Sequence, residues 1–186
     1  MRIAVSATHG VGKSTLIDEF LRTHPAFTHE PEPYTVMVED FGEEFSDDPN
    51  VEDFRRQLEF NIDRLRQHAP GEDVIYERCP IDFLAYVDAL ESGSAEALLG
   101  PVSNAMQNLD LILYLPLDKD QILESEYPKL QKAVDRRLNT MLLDDELGII
   151  STRVVEARGS TAQRLHVLEN AINESQTHNP ATSRRE

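Results

Sequence analysis

Tryptophan is missing from this chain, and cysteine occurs once, as Cys79. A lone cysteine excludes an internal disulfide framework and suits a reducing compartment. Aromatic residues make up only 6% of the sequence. No apolar run approaches the roughly 18 residues that a membrane span needs. Met1-Arg2-Ile3-Ala4-Val5 gives only a few apolar residues before the polar Thr8-His9-Gly10, too short for a signal-peptide core. These absences predict a cytoplasmic protein with no membrane partner. Basic residues are scarce as well: 18 Lys and Arg stand against 34 Asp and Glu, a formal charge of −16. Between Glu39 and Asp53, eight of fifteen residues are acidic and none is Lys or Arg. Phosphate backbones need clustered cations, so such a surface repels a polyanionic duplex. No nucleic-acid partner is therefore expected, and the acidic run reads first as a solvated face kept soluble by repulsion. The six histidines and one cysteine show no metal-ligand spacing.

What remains is 186 residues with 40% hydrophobic content, enough for one α/β domain with a full core and cramped for two. Arg2–Ser6 reads as a short buried strand, followed by a glycine-containing loop and a helix carrying Leu16, Ile17, Phe20 and Leu21 on one face. Phe27-Thr28-His29 is a second strand, cut off by Pro31 and Pro33, with a short helix from Tyr34 to Phe41. Phe54, Leu58, Ile62 and Leu65 recur at helical spacing in a long amphipathic helix closed by Pro70-Gly71. Val74-Ile75-Tyr76 is a third strand, with helices over Asp82–Leu90 and Ala95–Asn108. Leu109–Leu117 is the clearest strand. A long helix from Asp118 to about Asp145, bent near Pro128, follows. Arg153–Glu156 is a fifth strand, and the last helix spans Thr161–Asn173. This alternation predicts a mostly parallel sheet covered on both faces, with ligands at the carboxyl ends of its strands. The expected organisation is one domain over residues 1–174 and a disordered polar tail over 175–186.

Ala7-Thr8-His9-Gly10-Val11-Gly12-Lys13-Ser14 matches the Walker A pattern of a nucleotide-binding loop, except that Ala7 stands where the pattern has glycine. Gly10 and Gly12 permit the dihedrals that turn backbone N–H groups onto phosphate oxygens. Lys13 supplies an ammonium for the β- and γ-phosphates, Ser14 supplies a hydroxyl for Mg²⁺, and the helix start adds its dipole. Thr8 to Thr15 is thus the expected nucleotide-binding stretch. Within it, Thr15 reads as a second helix-start residue and His9 as a loop side chain rather than a general base.

After the third strand the chain reads Tyr76-Glu77-Arg78-Cys79-Pro80-Ile81-Asp82-Phe83-Leu84-Ala85-Tyr86. An acidic residue at a strand end beside such a loop, here Glu77, can hold Mg²⁺, and a neighbouring arginine, Arg78, can fork phosphate oxygens. Glu77-Arg78-Cys79 resembles the Glu-Arg-Ser or Asp-Arg-Ser signature of P-loop nucleoside and nucleotide kinases. The stretch as far as Tyr86 is similar to an ATPase-labelled kinase-like family that includes ribosylnicotinamide kinase domains; deoxynucleoside kinase domains are similar too. The resemblance implies a three-layer α/β/α P-loop NTPase fold, with a parallel five-stranded sheet and a helical lid. It also implies ATP and Mg²⁺ as cofactors. By the same resemblance a carboxylate after strand two takes the acceptor proton, which makes Glu30 the candidate and Glu32 the reserve. Lid arginines over the transferring phosphate correspond to Arg136 and Arg137, and a loop holding adenine corresponds to Gly159-Ser160 with Arg164 nearby. Gln57 either reads an acceptor ring or faces solvent. The expected partner is a small-molecule acceptor, with a homodimer left open. His29 to Asp53 contains no Lys or Arg, so a neutral or cationic acceptor is expected over a nucleotide. The alternative function is a nucleotide-binding switch or slow NTPase without a small-molecule acceptor, and a module that binds but has lost catalysis is a third.

Overall fold

The computed structural model describes residues 1–118 and 125–177. Five strands, β1 (Arg2–Ser6), β2 (Thr28–Glu30), β3 (Val74–Glu77), β4 (Leu111–Tyr114) and β5 (Arg153–Glu156), form one parallel sheet in the order β2-β3-β1-β4-β5. Seven helices are described: α1 (Lys13–Thr23), α2 (Pro33–Glu39), α3 (Val51–Gln67), α4 (Pro80–Leu90), α5 (Leu99–Met106), α6 (Pro128–Leu142) and α7 (Thr161–Thr177). Alternate residues of the central strands feed two cores. Ile3, Val5, Ile75, Leu111 and Leu113 pack with α1 and α7 on one face. Ala4, Tyr76, Ile112 and Tyr114 pack with α3, α4, α5 and α6 on the other. This is the expected three-layer α/β/α P-loop arrangement. It follows from continuous apolar strands that need helices on both faces.

Local chemistry sets the element ends that matter for the site. The Asn50 side chain accepts from the backbone N–H of Asp53 and starts α3. Pro80 occupies the first turn of α4, where its missing N–H costs nothing. Every residue of α4 from Pro80 to Val87 is buried, as befits a helix apolar on nearly all sides and wedged between α3 and α6.

Three expectations need correction. Pro128 begins α6 rather than bending a longer helix. A proline inside a helix would cost about 3 kcal/mol, whereas in the first turn it is already shaped for the helix. Residues 119–124 of the expected long helix lie outside the described residues. The expected helix over Ala95–Asn108 is a single 3-10 turn, Glu96–Leu98, followed by the shorter α5. At the other end α7 continues to Thr177, beyond the expected stop at Asn173. The rest of the expected tail, 178–186, lies outside the described residues. No helix among the described residues is long and apolar enough to cross a membrane.

Candidate functional site

Residues 7–12 join the carboxyl end of β1 to the start of α1. Gly10 (φ 74°) and Gly12 (φ 88°) take left-handed conformations that a side chain would strain. The loop's carbonyl oxygens are held from outside. Ala7 O accepts from Arg78 Nη1 at 2.9 Å and His9 O from Gln131 Nε2 at 2.8 Å. Val11 O accepts from Arg164 Nη1 at 2.7 Å, and Thr8 O from Lys13 Nζ at 3.4 Å. Two N–H groups are held as well, Ala7 by Asp82 Oδ1 at 3.0 Å and His9 by the Tyr86 hydroxyl at 3.0 Å. Inside the loop is a cavity of about 300 Å³ lined by His9, Gly10, Gly12, Lys13, Ser14, Glu32, Glu77 and Arg78.

Lys13 is 4% exposed. Burial, joined by the Arg78 charge, pulls its pKa below the ordinary lysine value, against Glu32, Glu77 and Asp82. Ser14 Oγ donates to Glu77 Oε1 at 2.9 Å, and Lys13 Nζ stands 3.9 Å from the same oxygen. A hydroxyl beside a carboxylate fits a Mg²⁺ ion that takes few protein ligands and completes its shell with water and phosphate oxygens. The residues read as metal-binding are thus adjacent, and both line the loop cavity.

Arg78 is the most constrained residue here. It has a left-handed backbone (φ 77°), rare outside glycine and worth attention where it coincides with a cavity. Its side chain is 4% exposed, paired with Glu32 and 3.5 Å from Asp82 Oδ1. Burial opposes its charge, but Glu32, Tyr86 and Asp82 outweigh that and hold the guanidinium ionised. For Glu32, burial raises the pKa, while the Arg78 and Lys13 charges and the Arg78 hydrogen bond bring it down to about 2. The thiol of Cys79 is fully buried; that burial, with Asp82, pushes its pKa well up, so it is no nucleophile.

A second cavity, of about 340 Å³, opens beside the first and shares His9, Glu32 and Arg78 with it. Its walls are aromatic, from Tyr34, Phe45, Phe54, Tyr86 and Tyr127, with Asp47, Asp48 and Asp53 at the polar side. Phe54 and Tyr86 stack at 4.3 Å with 14° between planes. Gln57, 5% exposed, lines this cavity rather than facing solvent. His9 bridges the two spaces: Nδ1 meets the Tyr86 hydroxyl at 2.8 Å and Nε2 meets Ser125 Oγ at 2.8 Å. Burial, then the Arg78 and Lys13 charges, lower its pKa to about 4, so the ring is neutral near pH 7 and does not serve as a cation.

The expected base and lid residues fall elsewhere. Glu30 ends β2, and its carboxylate is taken by Arg64 and His68 of the α3 end. It lines neither cavity, whereas Glu32, two residues beyond the strand, lines both. Arg136 is exposed. Arg137 pairs with Asp88 at 2.6 Å and Glu146 at 2.9 Å. Neither arginine lines either of these two cavities; α6 turns Gln131 towards the loop instead. Thr8 and Val11 are buried behind the loop and Thr15 is exposed on α1, so these three line neither cavity. Gly159 (φ 87°) and Ser160 form the turn into α7 but likewise line neither. Arg164, one turn further on, reaches Val11. Asp82, Tyr86 and Gln131 were not among the expected site residues. The one sequence signal for the first two is the interval of four from Arg78 to Asp82 to Tyr86.

The model of the AAA domain family matches residues 2–164. Among solved structures, a NadR protein in complex with NR superposes with a TM-score of 0.69 at 18% identity, covering 94% of this chain and 50% of that one. A NadR protein with NAD and AMP-PNP gives a TM-score of 0.66 at 18% identity, over 100% of this chain and 51% of that one. The deoxyadenosine kinase from M. mycoides with bound dATP gives 0.62 at 14% identity, over 93% of this chain and 100% of that one. This chain therefore shares their fold and spans about half the length of the NadR chains. No curated protein matches it by sequence.

Proposed function

This chain belongs to the AAA-domain family, and from that premise and the geometry of its loop we propose that it is an ATP- and Mg²⁺-dependent phosphotransferase acting on a hydroxyl of a small acceptor, a nucleoside or cofactor precursor. The observation that carries this reading is the junction of two cavities, one a phosphate cradle and one walled by aromatic rings, at His9, Glu32 and Arg78. A switch or a plain NTPase has no need of the second, ring-walled space. The likeness to a deoxyadenosine kinase and to a protein holding AMP-PNP supports an adenine nucleotide as donor.

In this mechanism the loop from Gly10 to Lys13 cradles the triphosphate with its terminal phosphorus towards the junction. Ser14 and Glu77 are the residues that would hold Mg²⁺, which when bound neutralises charge on the phosphate oxygens. The acceptor ring lies against the Phe54–Tyr86 stack with Gln57 on its edge. Glu32 receives the hydroxyl proton as the acceptor oxygen bonds to the γ-phosphorus. The bond from that phosphorus to the β-phosphate oxygen breaks, and ADP leaves. With a loose transition state, positioning carries most of the catalysis, and the base contributes by orienting the hydroxyl as well as by taking its proton. An ionised carboxylate already fixed by Arg78 serves that purpose. Arg78 and Lys13 face the charge that develops on the transferred group.

The acceptor's charge follows from the same pairing. Arg78 is matched by Glu32 and Asp82, and Lys13 by Glu77. The second cavity adds Asp47, Asp48 and Asp53. An acceptor that already bears a phosphate would meet carboxylates there, so nucleosides are favoured over nucleotides. The test is a screen of nucleosides, nucleotides and vitamin-like precursors with Mg·ATP, read by product mass. Phosphorylated product from an unphosphorylated acceptor, lost in Lys13→Ala, is the expected result. ADP release that no acceptor changes would overturn the reading in favour of a switch or NTPase, and turnover of monophosphates alone would overturn the assignment of acceptor charge.

A further inference from the structure

Asp82 is fully buried, and its two carboxylate oxygens do different work. Oδ2 accepts from the Cys79 backbone N–H at 2.9 Å and lies 3.3 Å from Cys79 Sγ, closing the first turn of α4 as a capping box. That half is ordinary helix capping. Oδ1 is not needed for the cap. It accepts the N–H of Ala7, 75 residues away in sequence, at the entrance of the phosphate loop. One helical turn later the Tyr86 hydroxyl accepts the N–H of His9. Residues four apart on a helix lie on one face, and here they hold alternate amides of the loop. Arg78, four residues before Asp82, holds the Ala7 carbonyl and lies over the Tyr86 ring at 5.3 Å.

The consequence is geometric. The N–H groups of Ala7 and His9 are directed at α4, and the carbonyls of the same residues are fixed by Arg78 and Gln131, so the peptide planes on both sides of each residue are held. With those planes pinned, the cradle that begins at Gly10 starts from a set position and direction. Resting on the phosphotransferase reading, we propose that Asp82 and Tyr86 are positioning residues for triphosphate binding, acting through the loop backbone and not by touching the triphosphate. The departure from the Walker A pattern at Ala7 belongs to the same contact: α4 holds the loop entrance through the backbone of Ala7, whose own side chain lies in the core.

The experiment compares the full chain with Tyr86→Phe and Asp82→Asn. Tyr86→Phe keeps the ring packed on Phe54 and removes the hydroxyl that accepts the His9 N–H and meets His9 Nδ1. Asp82→Asn leaves one carbonyl oxygen for two backbone donors. Each protein is titrated calorimetrically with the Mg²⁺ complex of a non-hydrolysable ATP analogue, and its thermal unfolding is recorded alongside. Amide hydrogen exchange of the peptide containing Ala7 and His9 is followed in parallel. A loop entrance freed from α4 misplaces the binding amides, which predicts roughly a ten-fold or greater loss of analogue affinity in both variants. Faster exchange in that peptide is expected as well, with Tyr86→Phe unfolding near the wild-type temperature. If both variants unfold earlier yet bind the analogue as tightly as wild type, their role is structural and the proposal falls. Should Asp82→Asn fail to fold, Tyr86→Phe decides alone. Wild-type protein that binds no analogue sinks the phosphotransferase reading together with this one, whereas wild-type binding with unaltered variants sinks only this one.

Discussion

Replacing Glu32 and Glu30 separately by glutamine distinguishes the two carboxylates that flank Pro31, one a turn beyond the sheet edge and one locked in it. Glu32 is paired with buried Arg78 and lines both cavities. Loss of a positioned proton acceptor slows transfer by roughly 10²–10⁴-fold, so Glu32→Gln should fall in that range on any acceptor the wild type turns over. Glu30→Gln disturbs only the Arg64 and His68 contacts and should stay within about three-fold. Stability supplies an independent readout. The Glu32 carboxyl is depressed from 4.5 to about 2. Its ionised form therefore adds stability that is fully present above pH 4.5 and is lost as pH falls towards 2. At 1.36 kcal/mol per pH unit the contribution is on the order of 3 kcal/mol. The gap between wild type and Glu32→Gln, followed by urea unfolding, should be of that size at pH 7 and narrow below pH 4.5. Equal losses of turnover in the two variants, or a stability gap unchanged down to pH 3, would refute the assignment of Glu32 to the junction.

Removing either half of the Ser14–Glu77 pair, by Ser14→Ala or Glu77→Gln, should raise the Mg²⁺ concentration that half-saturates nucleotide binding by roughly ten-fold or more, measured by titrating Mg²⁺ at fixed ATP. Arg136→Ala should leave turnover and unfolding unchanged. Arg137→Ala should leave turnover intact while lowering stability by roughly 1 kcal/mol, because it loses Asp88 and Glu146. At the β2 edge, burial lowers the pKa of His68, but hydrogen bonds to Glu30 and Glu72 outweigh that and raise it above its ordinary value. Its stabilisation is full below that value and lost as pH rises through the folded pKa, so the stability deficit of His68→Gln against wild type should be larger at pH 5.5 than at pH 9.

The phosphate loop was legible because its chemistry is local. Two glycines, a lysine and a serine within a few residues, set between an apolar strand and an amphipathic helix, dictate their own geometry. Glu77 and Arg78 were legible for a related reason, since β3 delivers them to the carboxyl edge of the sheet beside β1. The choice between Glu30 and Glu32 was not local. It turns on Arg64 and His68, one helix away, which bring an opposite charge to one carboxylate and leave the other to Arg78.

The arginines of α6 show a different failure, one of phase. A helix read as running from Asp118 leaves open which face meets the loop, because that depends on the neighbouring elements it packs against. Starting at Pro128, α6 buries Gln131, Val134, Leu138, Met141 and Leu142. That stripe brings a neutral amide to the loop and puts Arg137 beside Asp88. For α4 the first turn is set by Pro80, and Asp82 and Tyr86 then fall on the one face that meets the phosphate loop, while Arg78 reaches the same loop from just before the helix.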